Sequence, residues 1–221
     1  MRTESKPKSY ETIIVEKRGQ VDWLTLNRPD SLNAISAKMM DELSDYFGGL
    51  FHDVTTRIVV LRGAGRGFCA GLDIKEMSGA NSPPAPFGGG FGHQGIYADV
   101  YLKMRRCPQP IIALVHGPAC GGGFAFALAS DIRIAGESAR MKIATNQIGL
   151  SACDMGMSYF LPRVVGLSIA SELMLTGRFI NATRALATGL VSEVVPDDQL
   201  EGAVQPYIDE MLMVSPLGLR L

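Results

Sequence analysis

Two glycine-dense segments, each following a predicted strand, are the parts of this sequence whose residue pattern suggests chemistry. The first corner runs from Gly63 to Asp73, and the second corner runs from His116 to Gly123 and ends in three consecutive glycines. Glycine lets the backbone approach a ligand closely, and free N–H groups at the mouth of a helix attract negative charge. One N–H donor from each corner would form an oxyanion hole. The alternative is that the glycine triplet only lets a helix pack tightly on a strand.

Other motifs for ligand binding or nucleophilic catalysis are missing from the sequence. A dinucleotide fingerprint that starts at Gly63 needs glycine at its sixth position, where this chain has Phe68. No glycine run is followed by the Lys-Ser or Lys-Thr of a P-loop, and no G-x-S-x-G sequence offers a serine nucleophile. The four cysteines form no C-x-x-C pair and the three histidines are scattered, so we expect no metal site and no disulfide framework.

The composition is that of a soluble protein with a substantial core. Of the 221 residues, 47% are hydrophobic and 19% are charged, and the formal net charge is −1. This balance excludes a disordered chain and offers no basic surplus for nucleic acid. The polar N-terminus lacks a signal peptide's apolar stretch, and no uninterrupted apolar run is long enough to span a membrane. We therefore expect one domain in the cytoplasm, without membrane or nucleic-acid partners.

The elements that must position the corners follow from periodicity and turn residues. A hairpin opens the chain, and a helix capped by Ser36 carries an apolar stripe. The order strand, helix, strand predicts crossover units and a parallel or mixed sheet. The strands are expected at 11–15, 21–26, 58–61, 111–115, 132–135 and 190–195. The helices are expected after Ser36, at 94–106, from the glycine triplet to Ala129, and at 155–161, 168–175, 183–188 and 198–213.

A segment rich in proline and glycine, from Ser78 to Gly95, is predicted to be a loop rather than part of the core. We expect it to lie near the ligand pocket and to be poorly ordered without ligand. The chain stops at Leu221 where Ser215-Pro216-Leu217 is typical of the start of another helix. The sequence therefore suggests a helical C-terminal region that is truncated here.

Several motifs, in order along almost the whole chain, resemble the enoyl-CoA hydratase/isomerase family, also called the crotonase superfamily. The corners carry the strongest part of the resemblance, and the last third continues it. The matching segments are Leu26-Asn27-Arg28-Pro29, Leu32-Asn33-Ala34, Gly67 to Met77, Gly117 to Gly123, Ser130 to Ala135, Leu175 to Arg178 and Ala187 to Val191.

The resemblance implies an α/β fold, a crotonase-like spiral of ββα units over residues 1–195, with the helical C-terminal region starting at 196–221. It also implies an acyl-CoA thioester as substrate, with CoA as part of that substrate and no separate cofactor. The family's oxyanion-hole donors correspond to the N–H groups of Leu72 and Gly122. The substrate-binding residues would be Arg28, Ala70, Gly71, Leu72, Gly121 and Gly122, with Arg28 and Arg66 near the CoA phosphates. A homotrimer or hexamer is the assembly that the resemblance implies.

This chain departs from the family's hydratases at both of their glutamates. Ala125 stands two residues after the glycine triplet and Thr145 stands twenty residues later, where those enzymes have the glutamates that position water and move protons. Neither side chain can act as a base, and general acid–base catalysis is usually worth about 10² to 10⁴ in rate. Two-glutamate hydration is therefore not expected.

Asp154 is the acidic residue whose position resembles the catalytic aspartate of several other branches, including isomerases. One carboxylate can take a proton from one carbon of an enolate system and return it to another, so a double-bond shift needs only Asp154 and the hole. The alternative interpretation is that Asp154 caps a helix beginning at Met155. Enoyl-CoA isomerisation is thus the preferred hypothesis, with hydration and a non-catalytic acyl-CoA-binding protein as the alternatives.

Overall fold

The computed structural model describes residues 9–77, 91–149 and 151–219, and the strands in this part of the chain form two sheets. The strands are β1 (Ile13–Arg18), β2 (Val21–Leu26), β3 (Ile58–Gly63), β4 (Ile111–Val115), β5 (Pro118–Cys120), β6 (Ile132–Gly136), β7 (Arg140–Lys142), β8 (Ile180–Asn181) and β9 (Glu193–Val195). The larger sheet has the order β1-β2-β3-β4-β6-β9, and the smaller has the order β5-β7-β8. Only the β1–β2 hairpin is antiparallel in the larger sheet, which confirms the predicted hairpin and mixed sheet.

Most helices of the described residues lie between strands in the chain, and the last two follow the final strand. The helices are α1 (Ala37–Leu50), α2 (Ile74–Met77), α3 (Phe91–Arg106), α4 (Gly122–Ala129), α5 (Met157–Thr176), α6 (Ala182–Ala187), α7 (Leu200–Ala203) and α8 (Gln205–Met213). Ser36 caps α1 as predicted, because its hydroxyl accepts a hydrogen bond of 3.1 Å from the Met39 amide. No helix in the described ranges combines the length and the apolar character needed to cross a bilayer.

Several predicted elements differ from the structure in their bounds or number. The helix α3 starts at Phe91, three residues before the predicted start, so the predicted loop does not extend to Gly95; its remainder, 78–90, lies outside the described residues. The two helices predicted at 155–161 and 168–175 correspond to the two parts of α5, which begins at Met157 and is divided by non-helical backbone at Gly166, so the predicted break is present. The helix predicted at 198–213 is divided into α7 and α8, with Pro206 in the first turn of α8. The strand predicted from Leu190 begins at Glu193.

The central strands β2, β3 and β4 of the larger sheet are buried on both faces, which explains the continuous apolar runs in β3 and β4. In β3, Val59 and Leu61 point into the main core with α1 and α4, whereas Ile58 and Val60 pack with residues of α7 and α8. All eight residues of α4 are buried, although its first two residues are glycines. The second corner is therefore held at the centre of the molecule, against the main core.

Candidate active site

The two glycine corners lie side by side, joined by backbone hydrogen bonds. The Cys69 amide donates to the Pro118 carbonyl at 3.1 Å, and the Cys120 amide donates to the Cys69 carbonyl at 2.9 Å. Gly71 has a φ of +92°, and a Cβ added to it would lie 2.7 Å from the Cys120 carbonyl oxygen. Only glycine fits this contact, so the close approach of the corners requires that residue type.

A buried asparagine fixes the shape of the first corner. The Asn33 side-chain amide donates to the carbonyls of Ala64 and Gly67, both at 2.8 Å, and its oxygen accepts from the Arg28 amide at 2.9 Å. Asn33 itself has a φ of +54°, which asparagine tolerates better than most residues. This network holds the chain that leads to Leu72 in one conformation.

The direction of the Leu72 N–H is set by the peptide bond that precedes it. The Gly71 carbonyl accepts a hydrogen bond of 2.8 Å from the Ile35 amide. Since carbonyl and N–H point in opposite directions in a trans peptide, the Leu72 N–H points away from Ile35. This N–H has no acceptor within the described part of the chain.

The Gly122 N–H is arranged in the same way at the start of α4. The Gly121 carbonyl accepts from the Ala125 amide at 2.9 Å inside the first helical turn, so the Gly122 N–H points outwards from the helix N-terminus. It too is without an acceptor among the residues that the structure covers. In both predicted donors the backbone N–H has no bonded acceptor among the described residues, whereas the carbonyl of the same peptide bond, on Gly71 or Gly121, accepts a hydrogen bond.

Three side chains pack around the α-carbon of Gly122. A Cβ added there would lie 2.7 Å from Ile35 Cδ1, 2.9 Å from the Tyr101 hydroxyl and 3.1 Å from Met155 Sδ. The Tyr101 hydroxyl also donates to the Gly122 carbonyl at 3.0 Å, and its ring stacks on Phe126. The buried Tyr101 hydroxyl thus holds the glycine that carries the second donor.

Asp154 lies directly before Met155, the residue whose sulfur packs against Gly122. Partial burial raises the pKa of its carboxyl above the ordinary value, and a hydrogen bond from the Met155 backbone opposes that effect. Met155 has a φ of +54°, a strained value of the kind that clusters at functional sites. Asp154 also helps to raise the pKa of Tyr101, after the larger effect of burial.

The interpretation of Asp154 as a helix cap is wrong. The helix α5 begins at Met157, with Gly156 at its cap position, and Asp154 opens a separate turn of 3₁₀ helix ending at Gly156.

The two positions where hydratases carry glutamates are both buried beside the second corner. Ala125 has no exposed surface, and Thr145 is 3% exposed. A Cβ added to Gly121 would lie 3.9 Å from Thr145 Cγ2, so the threonine side chain flanks the peptide that carries the Gly122 N–H. Neither residue can transfer a proton at neutral pH.

Arg28 is engaged within the chain. Its guanidinium pairs with Asp73 at 3.0 Å and donates to the Ala34 carbonyl at 2.5 Å, which braces the residue next to Leu72. Ala70 is bonded through its amide to the Leu32 carbonyl at 2.9 Å, and Arg66 is exposed. The roles of Arg28, Ala70 and Arg66 toward the CoA part of a substrate remain predictions.

A cavity of about 700 Å³ opens between α3, α4 and α5, next to the residues that contact Gly122. Its walls are mostly apolar and include Tyr101, Leu102, Leu128, Met155, Tyr159 and Phe160. We did not identify this cavity from the sequence. The helical spacing predicted α3 and α5, but not that their side chains would meet around a common space.

Cys69, at the first corner, is a buried core residue rather than a reactive thiol. Burial raises the pKa of the Cys69 thiol to about 12, so it stays protonated at neutral pH, as a core residue does. Within the described ranges, no group of three or more His, Cys, Asp or Glu side chains could hold a metal ion.

Comparison with known proteins agrees with the corners and the fold. The family model described as enoyl-CoA hydratase/isomerase matches residues 16–221. A probable enoyl-CoA hydratase, EchA12 of Mycobacterium tuberculosis, is 39% identical over 95% of this chain and 74% of its own length. The 1,2-epoxyphenylacetyl-CoA isomerase of Escherichia coli is 35% identical over 90% of this chain and 75% of its own.

Solved structures show the same likeness. An enoyl-CoA hydratase from Bacillus anthracis superimposes with a TM-score of 0.87 at 32% identity, covering 95% of this chain and 80% of that one. A monofunctional enoyl-CoA isomerase from M. smegmatis gives a TM-score of 0.79 at 38% identity, covering 94% of this chain and 88% of that one. With its two joined corners and its mixed spiral fold, this chain belongs to the enoyl-CoA hydratase/isomerase family.

Proposed function

We propose that this protein shifts the double bond of an enoyl-CoA thioester, with Asp154 as the acid–base group. The Asp154 carboxylate takes a proton from C2 of a 3-enoyl thioester, and the electron pair moves onto the thioester oxygen to give a dienolate. The N–H groups of Leu72 and Gly122 stabilise that oxygen. Protonated Asp154 then returns the proton to C4, which leaves the double bond between C2 and C3 and restores the carboxylate.

The observation that carries this proposal is the electrostatic effect of Asp154 on Tyr101, whose buried hydroxyl donates to the Gly122 carbonyl. The residue after Asp154, Met155, also packs against Gly122. Burial raises the pKa of Asp154, which moves an aspartate toward the range where it can both accept and return a proton near neutral pH. Ala125 and Thr145 leave Asp154 as the acidic residue that we assign to the reaction.

The backbone geometry supports the enolate step. The neighbouring carbonyls of Gly71 and Gly121 are already bonded, so the two N–H groups keep their directions without rearrangement when charge develops. Donors that are fixed in advance stabilise an oxyanion most, and losing one typically costs about 3 kcal/mol.

Hydration of a 2-enoyl-CoA is the second candidate, and the names of relatives favour it. EchA12 of M. tuberculosis is named a probable hydratase, and the B. anthracis structure is titled a hydratase. A hydratase needs a group that activates water, and neither Ala125 nor Thr145 supplies a base. We therefore place isomerisation ahead of hydration.

The test measures turnover of a 3-enoyl-CoA and hydration of a short 2-enoyl-CoA by the same preparation. We expect isomerisation by the unmodified protein, and a loss of about 10² to 10⁴ in the Asp154→Asn variant, which keeps the shape but cannot accept a proton. Asp53→Asn, at an aspartate outside the corners, is the matched control and should keep full activity.

Three results would contradict the proposal. Undiminished isomerisation by Asp154→Asn would remove the assigned role, and hydration faster than isomerisation would favour the second candidate. Binding of acyl-CoA without either reaction would indicate a protein that only binds the thioester.

A further inference from the structure

The cavity between α3, α4 and α5 has an apolar end and a charged end. Beside Gly122 it is lined by Tyr101 and Met155, which both contact that glycine. Its charged lining residues are Arg105, Asp131, Arg133 and Arg163. The apolar end therefore borders the second corner, and the rest of the cavity leads from there to the charged residues.

Hydrogen bonds place two of these arginines at the C-terminal end of α4, opposite the glycine triplet. The Arg105 guanidinium donates to the Ala129 carbonyl at 3.1 Å and pairs with Asp131 at 2.5 Å. The Arg133 guanidinium donates to the Ser130 carbonyl at 2.6 Å. Burial lowers the pKa of Arg133, Asp131 opposes that effect, and Arg105 adds to it, as a nearby positive charge does.

Arg163 adds a third positive charge from the α5 side. Its guanidinium carbon lies 3.7 Å from the centre of the Tyr159 ring, and its Nη1 donates to the Tyr159 carbonyl at 2.7 Å. Among the described lining residues Asp131 is the only carboxylate, so positive charge is in excess. The Nη2 groups of Arg105 and Arg163 have no acceptor in the ranges that the structure describes. A guanidinium donates such N–H groups best to a carboxylate, often through two parallel hydrogen bonds.

The length of α4 sets the distance from the second corner to the charged end. The helix has eight residues and rises about 1.5 Å per residue, so its two ends are about 12 Å apart. Carbon–carbon bonds are about 1.5 Å long and zigzag in an extended chain, so about ten carbons cover this distance. The cavity volume of about 700 Å³ is within the range of pockets that hold ligands of this size.

We propose that Arg105 and Arg163 bind a carboxylate at the far end of the acyl group. The substrate class is then the CoA thioester of a dicarboxylic acid with about ten carbons. The inference rests on the proposed function only for the place of the thioester at the corners. The apolar walls, which include Leu102, Leu128 and Phe160, pack against the methylene groups. A monocarboxylic acyl chain of equal length brings only a methyl group to the arginines and forms no hydrogen bond there.

The experiment compares three saturated thioesters by titration calorimetry: butyryl-CoA, decanoyl-CoA and the mono-CoA thioester of decanedioic acid. We expect the unmodified protein to bind the decanedioic thioester about tenfold more tightly than decanoyl-CoA, which is the gain of one charge-assisted hydrogen bond at a partly exposed site. High salt should reduce this preference, since it screens exposed charges.

Arg163→Gln tests the assigned arginine directly. Its guanidinium is exposed, so the variant should fold, and it should lose most of the preference for the decanedioic thioester. Arg105→Gln should lose it as well, because Asp131 then faces the ligand carboxylate without its partner. The matched control is Arg106→Gln, at an exposed arginine of α3 that does not line the cavity, and it should keep the preference.

Several results would overturn the inference. Decanoyl-CoA binding as tightly as the decanedioic thioester would show that no carboxylate is recognised. Equal affinities for butyryl-CoA and decanoyl-CoA would show that the cavity holds something other than the acyl chain, such as another polypeptide segment. Weakening of butyryl-CoA by Arg163→Gln to the same extent as the decanedioic thioester would assign this arginine to the CoA phosphates.

The binding comparison is independent of the proton transfer assigned to Asp154, because the probes have no double bond to move. If Asp154→Asn isomerises at the normal rate but the arginine-dependent preference persists, the proposed function fails and this inference stands. If isomerisation requires Asp154 but Arg163→Gln keeps the preference, only this inference fails.

Discussion

Asp53 and Asp154 show how differently the same side chain is used in two regions of this molecule. Burial alone would raise the pKa of Asp53, but hydrogen bonds from Thr56 and Thr55, with Lys17 nearby, outweigh it and lower the pKa to about 2. Burial also acts on Asp154, and there the opposing hydrogen bond from Met155 is too weak to prevent a raised pKa. One carboxylate is held charged by its neighbours, and the other is kept able to exchange a proton.

The contrast extends to the groups around each aspartate. Asp53 accepts hydrogen bonds of 2.6 to 2.7 Å from the Thr55 amide and from the Thr55 and Thr56 hydroxyls, and ties the loop before β3. At the second corner, the Gly122 N–H and the hydroxyl of the neighbouring Thr145 have no partner in the described residues. A region that serves stability satisfies its polar groups internally, whereas a binding site leaves some of them for a ligand.

Among the variants that test the difference between the two regions, Gly122→Ala is expected to have the largest effect on isomerisation. The added methyl group would lie 2.7 Å from Ile35 and 2.9 Å from the Tyr101 hydroxyl, so the second corner must shift. We expect isomerisation to fall about a hundredfold, since one oxyanion donor is worth about 3 kcal/mol. Steady-state turnover of a 3-enoyl-CoA measures this loss.

Gly49→Ala is the matched control for that variant. A Cβ on Gly49, near the end of α1, has no neighbouring atom within 4 Å. Alanine is favoured over glycine in a helix by roughly 0.5–1 kcal/mol, so this variant should be fully active and slightly more stable. Equal activity of Gly122→Ala and Gly49→Ala would contradict the role of the second corner.

A smaller effect, opposite in sign for the two aspartates, is expected in thermal stability. The lowered pKa of Asp53 stabilises the fold above the ordinary aspartate pKa of about 3.9, and this contribution is lost as pH falls through about 2. Asp53→Asn should therefore lower the melting temperature at pH 7 by about 1 to 3 °C, an effect limited by solvent screening. The difference should shrink as the pH approaches 2.

Asp154→Asn should change stability in the other direction. With a raised pKa in the folded state, Asp154 favours folding only when protonated, and this contribution is lost as pH rises through that pKa. At pH 7 the ionised group opposes folding, so asparagine should raise the melting temperature slightly. Melting curves of Asp53→Asn and Asp154→Asn at pH 7 and below pH 4 test these opposite changes in melting temperature. A change in the same direction for both variants at pH 7 would contradict the proposed difference between the two aspartates.

Much of the fold could be predicted from local sequence. The strand at Ile111–Val115 and the cap at Ser36 depend on neighbouring residues, and the structure has both as predicted. The smaller sheet was missed, because β5 lies within the glycine-rich second corner and β8 has only two residues. These strands are defined by partners far along the chain, which periodicity cannot detect.

The candidate site could be predicted only in part, because some of its contacts also come from segments far apart in the chain. The corners are visible as glycine patterns, and their close contact through Gly71 needs a residue without a side chain. The Tyr101 hydroxyl on Gly122 and the unpaired Thr145 hydroxyl have no local signal, since each depends on how distant segments pack. The burial that raises the pKa of Asp154 likewise exists only in the folded chain.

The most direct test of the central claim is to follow the C2 protons of a 3-enoyl-CoA by NMR in D₂O. The account predicts that the unmodified protein and Gly49→Ala remove a C2 proton rapidly, and that Asp154→Asn does so about 10² to 10⁴ times more slowly while still binding the thioester. Removal of the proton by Asp154→Asn at the rate of the unmodified protein would contradict it.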